Sequence, residues 1–227
     1  MSPGWAVSRV AGAAVDLHAR GPALPGRREV TLCRPEGRAL VLGSTQPERV
    51  VDAARMAEAG VALVRRRTGG GVVLLEPGAL VWIEVDVPAG DPLWDDDVAR
   101  AFSWLGQVWA PAAADLGVSD PRAHAGQTEE GRWGRLVCFA GLGPGEVTAG
   151  GRKVVGLAQR RTRAAARFQC ALLLRWDPAP LVGLLALEEG DRARAVAELA
   201  SAAAGLSELG VAAGPEEVLA ALVAHLP

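Results

Sequence analysis

Between Val61 and Gly90 the chain reads VALVRRRTGGGVVLLEPGALVWIEVDVPAG, and this stretch constrains the fold most. It holds three short apolar runs, 61–66, 71–75 and 79–87, joined by two glycine-containing turns. Runs so short, bounded by glycine and proline, predict strands. Further on, RLVCFAG, EVTAGGRKVVGLAQRRT and ARFQCALLLRWD each have strand character, and AGG at 149–151 signals a hairpin. Upstream, REVTLCRP and RALVLGS flank PEG and predict strand, turn, strand. Helical patterns border the strands. PERVVDAARMAEAG has Pro47 in a first-turn position and Gly60 at a stop, with Val50, Ala54 and Ala57 on one face. Residues 95–117 predict a long helix. Asp95, Asp96 and Asp97 would lie in its first turn, where acids favour the positive helix end, and this accounts for them more simply than a metal does. Phe102, Leu105 and Trp109 have core spacing. Residues 120–135 are polar and predict a surface loop. The tail from Pro178 predicts helix, broken near Gly190, Gly205 and Gly214. Strands in the middle and helices at the edges argue for an α+β domain.

Half of the 227 residues are hydrophobic, enough for a sizeable core. The formal net charge of -2 gives no global electrostatic case for nucleic acid. Cys33, Cys138 and Cys170 form no C-x-x-C pair, so neither a disulfide scaffold nor a zinc site is expected. The first residues lack the pattern of a signal peptide, and the apolar runs are too short to span a membrane. A cytoplasmic protein without a membrane or nucleic-acid partner is the expectation.

RRRTGGG places three arginines beside backbone that no Cβ shields. Successive amides in such a turn form an anion-binding concavity, and guanidinium groups match phosphate or carboxylate oxygens. In a strand Arg66 points opposite to Arg65 and Arg67. The run is neither a Walker motif nor a dinucleotide fingerprint, and a glycine hairpin with solvated arginines accounts for it equally well. Downstream, GRKVVGLAQRR sets Lys153 among apolar residues, where an ammonium could hold a carbonyl or phosphate oxygen. Alone, such a lysine is an exposed strand residue.

Taken together, the two segments resemble the biotin/lipoate protein ligase family, in its lipoate-attaching branch. That family carries R-R-x-S/T-G-G-G-x-V-x-H-D-x-G-N and, roughly eighty residues on, G-x-K/R-K-x-x-G-x-A. RRRTGGGVVLLEPG and GRKVVGLAQRR match in content, order and separation, and the likeness covers 38–177. The resemblance implies a mixed, mainly antiparallel sheet flanked by helices, forming one catalytic domain over 1–227 with a helical tail from about 178. It implies that Thr68, Gly69, Gly70, Gly71 and Val72 wrap an acyl-adenylate, with Arg66 at its charged end and Gly156 and Ala158 beside it. Lys153 would contact the reacting carbonyl and phosphate. Val72, Val73 and Leu74 would suit an eight-carbon chain. The acceptor would be a lysine of a lipoyl-carrier domain.

CFAGLGPGEVTAGGRKVVGLAQRR also resembles the cysteine-dependent octanoyltransferases, whose stretch reads C-F-x-x-P-S-x-Y-E-x-x-x-x-G-R-K-x-x-G-S-A-Q-x-R. Cys138, Phe139, Glu146, Gly151, Arg152, Lys153, Gly156, Ala158, Gln159 and Arg161 fall in register. That subgroup carries the acyl group on its cysteine as a thioester; the bland reading is a packed thiol. Cys33 and Cys170 are expected to be packing residues. Departures from the patterns fall at Leu75-Glu76 for His-Asp, Ala79 for Asn, Leu157 for Ser and Gln169-Cys170 for His-Gly, while Gly71 fits the ligases. The leading expectation is an ATP-dependent lipoate–protein ligase, acting on lipoate or octanoate with ATP and Mg2+. The alternative is transfer from acyl carrier protein through Cys138, without a cofactor. A second alternative is a non-catalytic acyl-binding member. His18, His124 and His225 show no partner pattern.

Overall fold

The computed structural model describes residues 4–21 and 26–227. The first half holds β1 (Ala6–Ala13), α1 (Ala14–Ala19), β2 (Glu29–Glu36), β3 (Ala39–Leu42), α2 (Ala53–Glu58), β4 (Ala62–Arg65), β5 (Val73–Leu75), β6 (Leu80–Pro88) and α3 (Ser103–Asp115). The second half holds β7 (Arg122–Ala123), β8 (Val147–Ala149), β9 (Arg152–Arg161), β10 (Ala165–Leu173), α4 (Pro178–Gly183), α5 (Glu189–Ala200) and α6 (Pro215–Ala224). A seven-stranded sheet runs β1-β2-β6-β10-β9-β8-β7, and a three-stranded sheet runs β4-β3-β5. Of the strand pairs among the described residues, β1–β2 and β3–β4 are parallel and the rest antiparallel.

The two faces of the large sheet do different work. Val81, Ile83, Val85 and Val87 on β6, with Phe168, Cys170 and Leu172 on β10, pack against α3 and α6 through Leu105, Trp109, Leu219 and Leu222. Period-two alternation turns their neighbours to the opposite face. There Leu80, Trp82, Glu84 and Asp86 stand opposite Leu173, Ala171, Gln169 and Arg167. This face grades from apolar to charged along the strands. The small sheet and α1 cover it: Ala14, Leu17, Val41, Val64 and Leu75 close over Cys33 and Trp82. At the charged end Arg167 donates to both oxygens of Asp86, at 2.9 and 2.7 Å, and lies 3.1 Å from Glu84. Another core joins Leu40, Leu42 and Val72 to Leu181, Leu185 and Leu199 of the C-terminal segment. Among the described residues no helix is long and apolar enough to cross a membrane.

Several local expectations are corrected. β2 and β3 do follow one another across Gly37 (φ +73°), but they part to different sheets and do not pair. The helix expected over 47–60 is broken at Val51, which bridges to Leu185. Asp52 then caps α2 by accepting from the N–H groups of Ala54 and Arg55. Met56 is the buried residue of α2, and Ala54 and Ala57 are exposed. Asp95 and Asp97 accept backbone N–H bonds from Asp97, Ala99 and Arg100 ahead of α3, so they cap turns before the helix and do not form its first turn. The tail helix does break near Gly190, over 184–188, and Gly190 itself is the second residue of α5. RLVCFAG is a single bridge at Val137 followed by a 3-10 turn over Cys138–Ala140. Its polar backbone is held by the glycine loop and by Lys153, which leaves no row of groups for a ladder. AGG forms the expected hairpin, with Gly150 and Gly151 both at positive φ (+56° and +76°).

Candidate active site

The glycine loop crosses the 136–138 segment at backbone contact. Val72 N–H donates to Leu136 C=O at 2.7 Å, and Cys138 N–H donates back to Val72 C=O at 3.0 Å. A Cβ on Gly71 would stand 2.6–2.7 Å from the backbone of Leu136, Val137 and Cys138, so no other residue fits there. Gly70 (φ +95°) lies against the thiol: its Cβ position is 3.7 Å from Cys138 Sγ. The N–H groups of Gly69, Gly70 and Gly71 find no acceptor among the described residues. Arg66 is buried and folds back on the loop. It donates to Gly69 C=O and Gly71 C=O, the shorter bonds being 2.7 and 2.8 Å. Arg65 turns the other way, to Gly43 C=O and Gln46 C=O, and Arg67 is exposed.

Lys153 is the one lysine among the 24 lysines and arginines of the sequence. It is 3% exposed. Its ammonium donates to Cys138 C=O at 2.9 Å and Gly141 C=O at 3.0 Å, and pairs with Glu146 at 2.6 Å. Three converging acceptors suit a compact ammonium and not a planar guanidinium. Glu146 is buried too; it accepts from Gly143 N–H at 2.6 Å and Leu157 N–H at 2.9 Å. The pair thus fixes the turn that carries Cys138. The motif match includes Glu146 without giving it a role.

Cys138 stands between two spaces. One is an apolar cavity, walled by Val41, Leu75, Leu80, Trp82 and Ala171, with Arg66, Gly156 and Gln169 at its surface. The other is an open groove along Gly69–Gly71, Gly141 and Lys153. Cys138, Leu157 and Ala158 belong to both. Thr68 lies behind the loop and donates to Gln169 Oε1 at 3.2 Å. Val72 does not reach the cavity: it is fully buried in the core of the C-terminal segment, and Val73 takes the cavity wall instead. Leu74 faces a different hollow. Cys33 and Cys170 are packed thiols. Burial raises both, aided by the charge of Glu84, and Cys170 reaches about 12.

Sequence reasoning missed His18. It comes from α1 to the cavity wall, stacks on Trp82 with centroids 4.4 Å apart, and sets Nδ1 3.3 Å from Gln169 Nε2. The same Gln169 amide donates to buried Glu84 at 3.2 Å. Burial, with the nearby Arg66 charge, lowers the His18 imidazole to about 4. No spacing links His18 to residue 169; only the stacking of α1 on the sheet brings them together.

Known proteins resemble this chain in sequence and in fold. The octanoyltransferase LipM of Moorella thermoacetica is 28% identical over 165 residues, 72% of this chain and 60% of that protein. The match thus spans about three-fifths of that relative's length. A bipartite lipoate protein ligase from Thermoplasma acidophilum, solved in a study with its E2 lipoyl domain, superposes with a TM-score of 0.77 at 20% identity over 99% of this chain and 82% of that one. Lipoate-protein ligase A bound with ATP gives a TM-score of 0.67 at 20% identity over 98% and 83% of the two chains. These likenesses establish a shared fold, the mixed sheet with flanking helices. The family model described as the lipoyl protein ligase A/B catalytic domain matches residues 24–227, and the chain belongs to that family.

Proposed function

We propose that the protein transfers an octanoyl or lipoyl group to a lysine of a lipoyl-carrier domain, by way of a thioester on Cys138. The observation that carries this reading is the place of Cys138, half-buried at the junction of an apolar cavity and an open groove, with Gly70 of the glycine loop against its sulfur. The acyl tail lies in the cavity. The Cys138 sulfur attacks the carbonyl carbon of a donor thioester, the donor's carbon–sulfur bond breaks, and the proton given up by the Cys138 thiol leaves on the donor sulfur as its thiol. The carrier amine then attacks the Cys138 thioester, an amide forms, and the proton of the amine returns to sulfur. Gly69–Gly71 amides hold the oxygen that becomes negative in both steps. Lys153, Glu146 and Arg66 are positioning residues, since their donors and acceptors are engaged in holding the loop and the Cys138 turn. Acyl carrier protein is a donor of the required thioester class. The relative named octanoyltransferase supports the acyl group, and the ligase studied with its E2 lipoyl domain supports the acceptor.

The ATP-dependent ligase is the second reading, favoured by the same amides, which suit a phosphate. Gly69–Gly71 would hold the nucleotide's phosphates there, with Mg2+ accompanying them. The rest of the groove fits a triphosphate poorly. Its charged lining is Glu130, Glu146 and Lys153, and the lysine is already paired.

Intact mass of a lipoyl-carrier domain separates the readings. One tube holds octanoyl thioester without ATP, the other octanoate with ATP. Transfer in the first tube, lost in Cys138→Ser, is expected. An adduct on the protein itself that neutral hydroxylamine removes, and that Cys138→Ser does not form, marks a thiol ester at Cys138. Transfer in the second tube alone, unchanged in Cys138→Ser, would establish the ligase. No transfer in either would leave the non-catalytic member.

A further inference from the structure

The apolar cavity has two ends. At one it shares Cys138, Leu157 and Ala158 with the open groove. At the other it shares Val73, Leu80 and Phe139 with a separate hollow bounded by Glu76, Arg175 and Trp176. The groove and the hollow have no lining residue in common, so the three spaces lie in series with the cavity in the middle. The wall at the second end is thin. Val73 and Leu80 pack with Phe139 in one small apolar cluster, and Phe139 rests against Trp176 with ring centroids 5.7 Å apart. Val73 and Leu80 are partly buried, and each lines both spaces. Residues that depart from the family pattern surround this wall: Leu75 lines the cavity, and Glu76 and Ala79 line the hollow beyond it.

We infer that Val73, Leu80 and Phe139 form the stop that limits the length of the acyl chain, and that the hollow beyond is a continuation of the acyl site closed off by these three side chains. The inference rests on the proposed acyl occupancy of the cavity. A chain entering from Cys138 runs between the two sheets and ends on Leu80 and Val73. Longer chains are refused because Val73 and Leu80 pack with Phe139, which itself rests on Trp176. Shortening Leu80 or Val73 joins the two spaces, and the added length is lined by Leu173, Leu181 and Trp176, which suit hydrocarbon.

The test uses the full chain and a ladder of straight-chain carboxylic acids, from shorter than octanoate to about twice its length, with lipoate alongside. Thermal unfolding reads occupancy under either mechanism, since a ligand that binds only the folded state raises Tm. The wild-type protein is expected to gain Tm with octanoate and lipoate and to lose the effect sharply at longer chains. Leu80→Ala and Val73→Ala are expected to move that limit to longer chains, and Leu80→Phe to move it to shorter ones. Leu181→Ala, which alters the hollow but not the wall, should leave the limit in place. A wild-type limit that stays put in all three wall variants would overturn the stop while leaving acyl binding intact. A wild-type protein that binds every length equally would overturn it also. Stabilisation by no chain at all would remove the acyl reading and the stop together. If the alanine variants do not fold, Leu80→Phe alone decides, since an unchanged limit there is equally fatal.

Discussion

Gly71 is a residue at which the site leaves no room for a side chain. Its missing Cβ lets two backbones exchange hydrogen bonds directly, and those bonds set the thiol against the loop. In Gly71→Ala the added carbon must displace backbone, a form of overpacking that costs about 1–3 kcal/mol. We expect a lower Tm and loss of Cys138 acylation together; a variant with unchanged Tm would show that the loop can part from the 136–138 segment freely. His18 gives a second prediction at this scale. Its imidazole is held at about 4 in the folded protein against 6.5 ordinarily. The unfolded chain therefore binds the proton first as pH falls. The stability of the folded state is full above about pH 6.5 and is lost as pH falls toward 4, by at most about 3 kcal/mol from this one group. His18→Phe keeps a ring on Trp82 and removes the proton site, so its unfolding free energy should fall less between those limits. Equal losses in the two proteins, measured with urea, would assign the acid sensitivity elsewhere.

At the scale of elements, the turn from Cys138 to Glu146 is tied to β9 by one ion pair, two carbonyl bonds and the Leu157 N–H bond to Glu146. Removing one partner of a buried pair leaves the other charge uncompensated, at about 3–5 kcal/mol. Lys153→Met should therefore destabilise strongly and end acylation. Lys153→Met with Glu146→Gln should recover part of the stability without the activity. A double variant no more stable than the single one would mean that the carbonyl bonds, not the carboxylate, carry the loss. These elements differ in how far the sequence announces them. The β8–β9 hairpin is legible because two adjacent glycines meet a local conformational demand. The glycine loop and Lys153 are legible as a pair because both motifs are contiguous. The Cys138 turn is not, since RLVCFAG has strand composition and is made a turn by acceptors that Lys153 and Val72 engage from elsewhere. His18 and the Val73–Leu80–Phe139 wall are invisible for the same reason, being made by contacts between elements far apart in sequence.

For the whole molecule, the segment after Pro178 is built into the domain. Val218, Leu219 and Leu222 of α6 are buried in the main core, and Leu181 and Leu199 complete the core behind the glycine loop. The connection between α5 and α6 even reaches the site: Lys153 N–H donates to Ala202 C=O at 3.0 Å, and Ala204 N–H donates to Lys153 C=O at 2.9 Å. β9 is thereby held at the residue whose side chain fixes the Cys138 turn. A chain ending at Asp177 would expose the α3 side of the sheet and release both backbone bonds of Lys153. We expect it to lack a cooperative unfolding transition, while Leu222→Ala, which leaves a cavity in the same core, should fold with a loss of about 2–5 kcal/mol. If the shortened chain melted cooperatively near the temperature of the full one, the helices would be an attachment, and the rigidity of Lys153 would have to come from the sheet alone.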